Sequence, residues 1–166
     1  MFAFAIHDRR QGRVLLARDR FGEKPLYYAE TASGLLFASE IKALLESPGL
    51  RRRPDEVALQ QYLTFQYCLD DRTLFEGVKK LRPASYLLLD DAGRTLDAGE
   101  YWTLRFEEDH SRDARYWADE LRFVLEDSVR IRLRSDVPVG TYVSGGLDSS
   151  TIACTAAKLT GKGLPA

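Results

Sequence analysis

The 166-residue sequence has only two cysteines, no long hydrophobic run and almost no net charge, and each shortage excludes a class of protein. Cys68 and Cys154 are too few and too far apart for a disulfide framework or a zinc site. No stretch reaches the roughly 18 apolar residues that a membrane helix needs. The short apolar N-terminus follows no basic segment, so it is not a signal peptide. These absences predict a cytoplasmic protein without a membrane partner.

The balance of charge and the hydrophobic content disfavour two further classes of protein. The 24 Lys and Arg residues nearly cancel the 25 Asp and Glu residues, which disfavours a strongly basic nucleic-acid binder. The 45% hydrophobic content disfavours an acidic disordered tail and is enough for one sizeable core. At roughly 150 residues per domain, the length allows one domain or about one and a half.

The first hundred residues predict three β-hairpins with helices between them. The hairpins would pair residues 2–7 with 13–17, 25–29 with 35–38, and 86–89 with 94–96. Their runs are nearly continuous in apolar character, so we expect both faces of the strands to be covered. Ser39 and Asp55 are predicted N-caps of two helices. Residues 68–84 look irregular, and residues 101–106 predict an edge strand or an extended arm.

The second part of the sequence changes its hydrophobic period. The polar run 107–113 is a candidate linker. After it, apolar residues recur at helical spacing over residues 116–134, which predicts an amphipathic helix of about five turns. Residues 137–143 predict a short buried strand. Residues 151–159 are small and apolar enough for a buried helix that ends at Gly161 and would hold Cys154 as an inert core thiol.

One motif carries chemistry, the string Ser-Gly-Gly-Leu-Asp-Ser-Ser at residues 144–150. Glycines let a backbone turn tightly and approach a ligand closely. Unpaired amides at the start of the following helix favour an anion, and the serines add hydroxyl donors. A pyrophosphate suits such a loop, and Asp148 beside it calls for an intervening Mg²⁺. The alternative interpretation is a plain strand-to-helix turn in which Asp148 is the N-cap.

This motif resembles the pyrophosphate loop of the PP-loop ATP pyrophosphatases. With residues 125–129 and 135–140 it resembles glutamine-hydrolysing asparagine synthetase. Residues 1–5, 17–28 and 37–44 resemble the later part of that family's glutaminase domain. Residues 62–65 and 73–78 resemble the segment that joins its two domains. The resemblance therefore follows nearly the whole chain in order.

The resemblance implies two incomplete domains. Residues 1–107 would be the C-terminal part of an α+β, Ntn-type class II glutamine amidotransferase domain with the joining segment. Residues 108–166 would be the start of an α/β PP-loop synthetase domain. That domain would bind ATP and Mg²⁺, with Asp148 on the metal side. The implied pyrophosphate or nucleotide contacts are Val143, Ser144, Gly145, Gly146, Leu147, Asp148, Ser149 and Ser150.

The family reaction implied is the ATP-dependent amidation of aspartate through β-aspartyl-AMP, with ammonia from glutamine. The nucleophile of the family's glutaminase is an N-terminal cysteine, whereas residue 1 is Met and both cysteines are internal. We therefore expect no catalytic residue and no glutaminase activity in this chain. Only 16 residues follow Ser150, too few to complete a parallel sheet. The expectation is an inactive fragment of an enzyme that is a homodimer at full length.

Three other interpretations stay open. A related amidotransferase-ligase would make another amide or a lactam, and the acceptor pocket that distinguishes it lies downstream. A PP-loop enzyme that modifies RNA would need a basic face, which the balanced charge disfavours. A non-catalytic ATP-binding module would bind ATP without releasing pyrophosphate. Near the N-terminus, Arg18, Asp19 and Arg20 are expected to form structural ion pairs at a turn.

Overall fold

The computed structural model describes residues 1–32, 34–163 and 165, and the chain divides into two compact units, Met1–Arg105 and Phe106–Ala166. The first unit contains antiparallel strands and short helices, and the second contains two longer helices. The chain is therefore of mixed α+β class, as predicted. The assignment of residues 1–107 and 108–166 to two particular domains stays a prediction.

Two antiparallel sheets make up most of the first unit. The strands, in chain order, are β1 Ala3–Asp8, β2 Arg13–Arg18, β3 Tyr27–Thr31, β4 Gly34–Ala38, β5 Val78–Lys80, β6 Ser85–Asp90 and β7 Thr95–Glu100. Sheet A has the order β1-β2-β6-β7, and sheet B has the order β4-β3-β5. The three predicted hairpins are confirmed as β1–β2, β3–β4 and β6–β7.

The strand β5 lies within residues 68–84, which the sequence predicts to be irregular. It pairs antiparallel with β3, and Val78 lies opposite Ala29. A strand of three residues is too short to show a hydrophobic period, and its partner is distant along the chain. Only the tertiary packing selects such a strand, so the local pattern could not reveal it.

One of the two core clusters of the first unit lies between the two sheets. Leu16 and Leu89 from sheet A are fully or almost fully buried, and Tyr28 and Leu35 from sheet B pack against their cluster. Phe4 and Ile6 on β1 stay exposed. The expectation that both faces of the strands are covered is therefore wrong for β1, because successive side chains of a strand point to opposite faces and sheet B covers only one.

Four helices occur among the described residues: α1 Ile41–Leu44, α2 Glu56–Phe65, α3 Ala114–Arg132 and α4 Leu147–Thr160. The predicted N-cap of α2 is confirmed, since the Ala58 amide donates to Asp55 Oδ1 at 2.9 Å. The predicted cap at Ser39 is wrong. Glu40 is the N-cap residue of α1, and its side chain makes no capping bond.

The tips of two hairpins meet in the first unit. Gly93 has a φ of +77°, and a Cβ atom there would lie 2.6 Å from the Leu35 amide nitrogen and 3.1 Å from the Gly34 Cα. No other residue type fits this contact, because any Cβ would overlap the facing backbone. The β6–β7 turn is therefore held directly against the start of β4.

The second unit is built on the predicted amphipathic helix, which is confirmed as α3. Asp113 caps it, since the Tyr116 amide donates to Asp113 Oδ1 at 2.8 Å. Lys158 on α4 pairs with Glu126 on α3 at 2.8 Å, and Ala156 is buried. The rest of α4 is half-buried or exposed rather than the buried helix that the sequence predicts.

The predicted strand at residues 137–143 is wrong. This segment is irregular, and its Tyr142 and Val143 side chains are exposed. A strand needs a neighbour that pairs with its N–H and C=O groups, and no strand lies in the described residues of the second unit. Residues 101–106 likewise form no strand, so the expectation of an edge strand there is wrong.

Candidate functional site

The Ser-Gly-Gly-Leu-Asp-Ser-Ser motif is half loop and half helix. Ser144, Gly145 and Gly146 lead into α4, and the remaining four residues form its first turn. Gly145 has a φ of +81°, in the left-handed region that favours glycine, and no atom lies within 4 Å of the Cβ position there. Glycine at this position therefore serves the backbone conformation rather than a close packing contact.

The N-terminus of α4 presents amide groups that the helix itself does not use. Gly146 is the N-cap residue in extended conformation, and no side chain in the described residues caps the helix. The first N–H groups of a helix have no intrahelical partner and carry partial positive charge. The first amide that bonds within the helix is that of Ser150, which donates to the Gly146 carbonyl at 3.1 Å. This end of α4 can accept an anion.

Asp148 is the second residue of α4, so the interpretation of the motif as a turn capped by this aspartate is wrong. Its side chain is exposed in the first helical turn. In nucleotide sites, Mg²⁺ is held by one or two carboxylates together with phosphate oxygens. Among the described residues, no three His, Cys, Asp or Glu side chains lie close enough together to hold a metal ion. The exposed carboxylate of Asp148 at the start of α4 is of the kind that can share a Mg²⁺ with phosphate oxygens.

Hydrogen bonds between serines hold the loop in its shape. Ser149 Oγ lies 3.2 Å from the Ser144 amide nitrogen and 3.0 Å from Ser144 Oγ. It also donates to the Gly146 carbonyl at 3.2 Å. The Ser149 hydroxyl, in the first turn of α4, thus holds Ser144 in place at the start of the loop. The two other predicted contact residues, Val143 and Leu147, have exposed side chains at either side of the loop.

A second polar cluster lies buried in the first unit, at the end of β2. Arg18 and Asp19 are only 7% and 4% exposed. The Arg18 guanidinium donates to the carbonyls of Gly22, Lys24 and Leu81 at 2.6–2.7 Å. Asp19 accepts from the amides of Lys24, Glu23, Phe2 and Phe21 at 3.0–3.2 Å.

This cluster corrects the expectation of ion pairs at residues 18–20, because both buried side chains bond backbone groups. Burial opposes the ionisation of Asp19, but the four amide donors outweigh it and lower the pKa of its carboxyl to about 2. Burial also lowers the pKa of Arg18. A charged pair at the end of an apolar strand was the available signal in the sequence. The backbone groups that Arg18 and Asp19 bond depend on how the loops 20–24 and 81–84 fold.

The two cysteines lie in different environments. Cys68 is half-buried, and its thiol lies 3.8 Å from the Ala58 carbonyl. Cys154 is exposed, so the interpretation of this residue as a core thiol is wrong. The reason is that Ala156 is the only buried side chain of α4.

Two family models match this chain. The model described as glutamine amidotransferase domain matches residues 1–102, and the model described as asparagine synthase matches residues 120–166. The two matched segments fall within the first and second compact units respectively. The loop before α4 and the first turn of this helix lie in the second matched segment.

Curated relatives from bacteria, archaea and fungi match nearly the whole chain. It is 38% identical over 158 residues to asparagine synthetase [glutamine-hydrolyzing] 3 of Bacillus subtilis, covering 95% of the chain and 25% of the relative. It is 33% identical to putative asparagine synthetase [glutamine-hydrolyzing] 2 of Methanocaldococcus jannaschii, covering 92% and 30%. It is 39% identical to amidase chry2 of Gibberella zeae, covering 92% and 22%.

The chain thus spans about a quarter of the length of the curated relatives it matches. Among the described residues, none of the helices combines the length and the apolar character needed to cross a bilayer.

Proposed function

The chain belongs to the glutamine-hydrolysing asparagine synthetase family, and we propose that residues 143–150 bind the pyrophosphate portion of ATP. The observation that carries this proposal is the start of α4, where a glycine-serine loop leads into a helix whose first amides are unpaired. A triphosphate is a strong anion, and such amides bind anions without needing a charged side chain. Val143 would lie near the adenine or the ribose.

The proposed contacts divide into three kinds. Backbone amides of the loop and first turn would donate to phosphate oxygens, and the serines would add hydroxyl groups. Asp148 would be a ligand of Mg²⁺ together with the phosphates, which offsets the repulsion between this carboxylate and the nucleotide. The bound Mg²⁺ would supply charge neutralisation as pyrophosphate leaves.

For a protein that spans the full length of these relatives we propose the family reaction. The carboxylate of aspartate attacks the α-phosphorus of ATP, which forms β-aspartyl-AMP and releases pyrophosphate. Ammonia from glutamine then attacks the activated carbonyl, which forms asparagine and releases AMP. Aspartate, glutamine and ATP are the proposed small-molecule partners, in a cytoplasmic homodimer without nucleic acid. The 166 residues alone are proposed to bind nucleotide without completing this reaction.

A specific observation favours a second candidate for the acceptor substrate. Two fungal relatives bear the name amidase, chry2 and chyE, at 39% and 36% identity. A related ligase that uses the same ATP and ammonia chemistry on another carboxylic acid is therefore the alternative. A non-catalytic ATP-binding remnant is the remaining alternative, and it differs from both in releasing no pyrophosphate.

Titration calorimetry of the chain with Mg²⁺–pyrophosphate tests the proposed site. Gly145→Ala places a Cβ at a φ of +81° in the loop, and Gly161→Ala places one at a φ of +68° at the other end of α4. Neither Cβ meets a neighbour within 4 Å, so the two variants carry similar backbone strain.

We expect Gly145→Ala to weaken binding about tenfold or more, as strain at a left-handed residue implies, and Gly161→Ala to leave it within about twofold. Circular dichroism confirms beforehand that both variants keep α4. Absence of binding to the unmodified chain, or an equal loss in both variants, would contradict the proposed site. Asp148→Asn is expected to abolish the dependence of binding on Mg²⁺.

A further inference from the structure

A cleft of about 310 Å³ opens in the first unit, over one face of sheet B. Tyr27 on β3 and Lys80 on β5 both line it, and they are directly opposite each other in the antiparallel register. Opposite residues place their side chains on the same face of a sheet. Residues of α1, of α2 and of the segment 66–75 line the rest of the cleft. Its volume is near the lower end for small-molecule sites, so it suits a ligand with a single ring.

Aromatic side chains make up a large part of the lining. They come from β3, from α2 and from the segment 66–75, and they are Tyr27, Tyr62, Tyr67 and Phe75. Tyr62 and Tyr67 are 46% and 59% exposed, so packing within the unit leaves much of each ring open to contact. Aromatic rings attract one another in offset and edge-to-face arrangements. This lining therefore favours a ligand that contains an aromatic ring.

The charged side chains that line the cleft are both cationic. They belong to Arg72 and Lys80, and no Asp or Glu lines the cleft among the residues that the structure describes. The Arg72 guanidinium pairs with the Asp55 carboxylate at 3.0 Å. The half-buried Lys80 has no carboxylate within ion-pair distance in the described part of the chain. Its ammonium lies 3.5 Å from the Cys68 carbonyl oxygen, which leaves two of its three hydrogens for a ligand.

We propose that this cleft binds a small aromatic carboxylate, with its ring against the tyrosines and its carboxylate on the Lys80 ammonium. Hydrogen bonds between ionised groups are about twice as strong as neutral ones, and partial burial strengthens them further. An aromatic amino acid fits less well, because its own ammonium group would meet two cations and no carboxylate in the lining. All residues of the cleft belong to the first unit, so the inference is independent of the pyrophosphate loop in the second.

Titration of the chain with benzoate, followed by the NMR shifts of the backbone amides of residues 66–75, tests the proposal. Benzyl alcohol offers the same ring without the charge, and acetate offers the charge without the ring. We expect benzoate to bind about tenfold more tightly than benzyl alcohol, as one charge-assisted hydrogen bond implies. Acetate should give no saturable shift. Absence of benzoate binding, or equal affinities for benzoate and benzyl alcohol, would overturn the proposal.

Two neighbouring lysines provide a matched pair of variants. Lys80→Met keeps a long unbranched side chain without the charge, so benzoate should then bind only as tightly as benzyl alcohol. Lys79 follows the alternation of β5 to the other face of sheet B and pairs with Asp71 at 3.7 Å. Lys79→Met should therefore leave both affinities within about twofold. An equal loss of benzoate binding in the two variants would show that general charge attracts the probe, and the proposal would be wrong.

A tyrosine variant tests the ring contact separately from the charge. Because Tyr67 is 59% exposed, Tyr67→Ala should keep the fold, which circular dichroism checks. We expect benzoate and benzyl alcohol both to bind about fivefold more weakly, with the ratio of their affinities unchanged. Tyr142→Ala, at a fully exposed tyrosine of the second unit, is the control and should change neither affinity. If Tyr67→Ala also leaves both affinities unchanged, the ring does not lie in this cleft and the proposal fails.

Discussion

Residues 1–105 and residues 106–166 differ in how much of their apolar surface each covers by itself. The first unit places Leu16, Leu26, Leu81 and Leu89 in one buried cluster between two sheets. The second unit buries Val129 and Ala156, while Leu121, Phe123 and Val124 on α3 stay exposed. A pair of helices can cover only one stripe of each other, whereas a sheet covers a whole face. The candidate site therefore lies in the unit that buries fewer apolar side chains.

The largest expected effect comes from the core of the first unit. Leu16 has no exposed surface, so Leu16→Ala should lower the free energy of unfolding by about 3 kcal/mol. Leu121 is 69% exposed, so Leu121→Ala should change the stability by less than about 0.5 kcal/mol. Chemical denaturation followed by the fluorescence of Trp102 in a Trp117→Phe background reports on the first unit, and that of Trp117 in a Trp102→Phe background reports on the second. Similar losses in the two variants would break the comparison.

The next effect is a dependence on pH of the free energy of unfolding of the first unit. Asp19 has a pKa of about 2 in the folded chain and about 3.9 when unfolded. Because the pKa of Asp19 is lower in the folded chain, its carboxylate stabilises the fold at pH values above the unfolded-state pKa. This stabilisation disappears as the pH falls toward 2. The expected loss is on the order of 2 kcal/mol.

Unfolding curves between about pH 5 and pH 2 measure this loss, which spans the two pKa values of the carboxyl. Asp19→Asn should remove this part of the pH dependence and be less stable at neutral pH. Asp136→Asn, at an exposed position in the second unit, is the control and should keep the full dependence. If Asp19→Asn keeps the same slope, the amide bonds to its carboxylate do not stabilise the fold.

Helix capping sharpens the comparison because each unit contains a helix with an aspartate N-cap. Asp55 caps α2 and Asp113 caps α3, each with one side-chain bond to an amide three residues on. Replacement by alanine should cost about 1 kcal/mol in each case. In the first unit we expect a lower free energy of unfolding, and in the second a loss of helical circular dichroism. Replacement by serine should restore both signals; failure at Asp113 alone would mean that α3 frays regardless of its cap.

The smallest effect is expected from the ion pair between Glu126 and Lys158, which joins α3 to α4. The hydrogen bond to Lys158 lowers the pKa of the Glu126 carboxyl, but the Lys158 side chain is 70% exposed and that of Glu126 is 34% exposed. Exposed pairs contribute little to stability and are screened by salt. Glu126→Gln, Lys158→Met and the double variant should therefore melt almost alike. A large coupling between the two single changes would show that this contact, and not apolar packing, holds the helices together.

Where structure is determined by neighbouring residues, the sequence was sufficient to predict it. The three hairpins, the amphipathic helix α3, the cap at Asp55 and the end of α4 at Gly161 all follow from local patterns. The same reasoning failed for β5 and for residues 137–143. Strand formation depends on a partner elsewhere, so an apolar run of residues does not by itself define a strand.

The candidate site was found by its residue types, but its internal arrangement was not predictable. The motif at residues 144–150 identifies the glycines, the serines and Asp148 as candidate site residues. The start of α4 at Leu147 was not predicted, because helix boundaries are set by which amides and carbonyls find partners. The hydrogen bonds that Ser149 makes to Ser144 and Gly146 likewise depend on the positions of single hydroxyl groups.

The contact between Gly93 and the start of β4 limits how the first unit can change during evolution. Its closest approach joins two backbones, those of Gly93 and Leu35, with no side chain between them. An insertion or deletion in one turn would separate the tips unless the other turn changed to match. The β3–β4 and β6–β7 hairpins should therefore vary in length together among homologues, although they lie on different sheets.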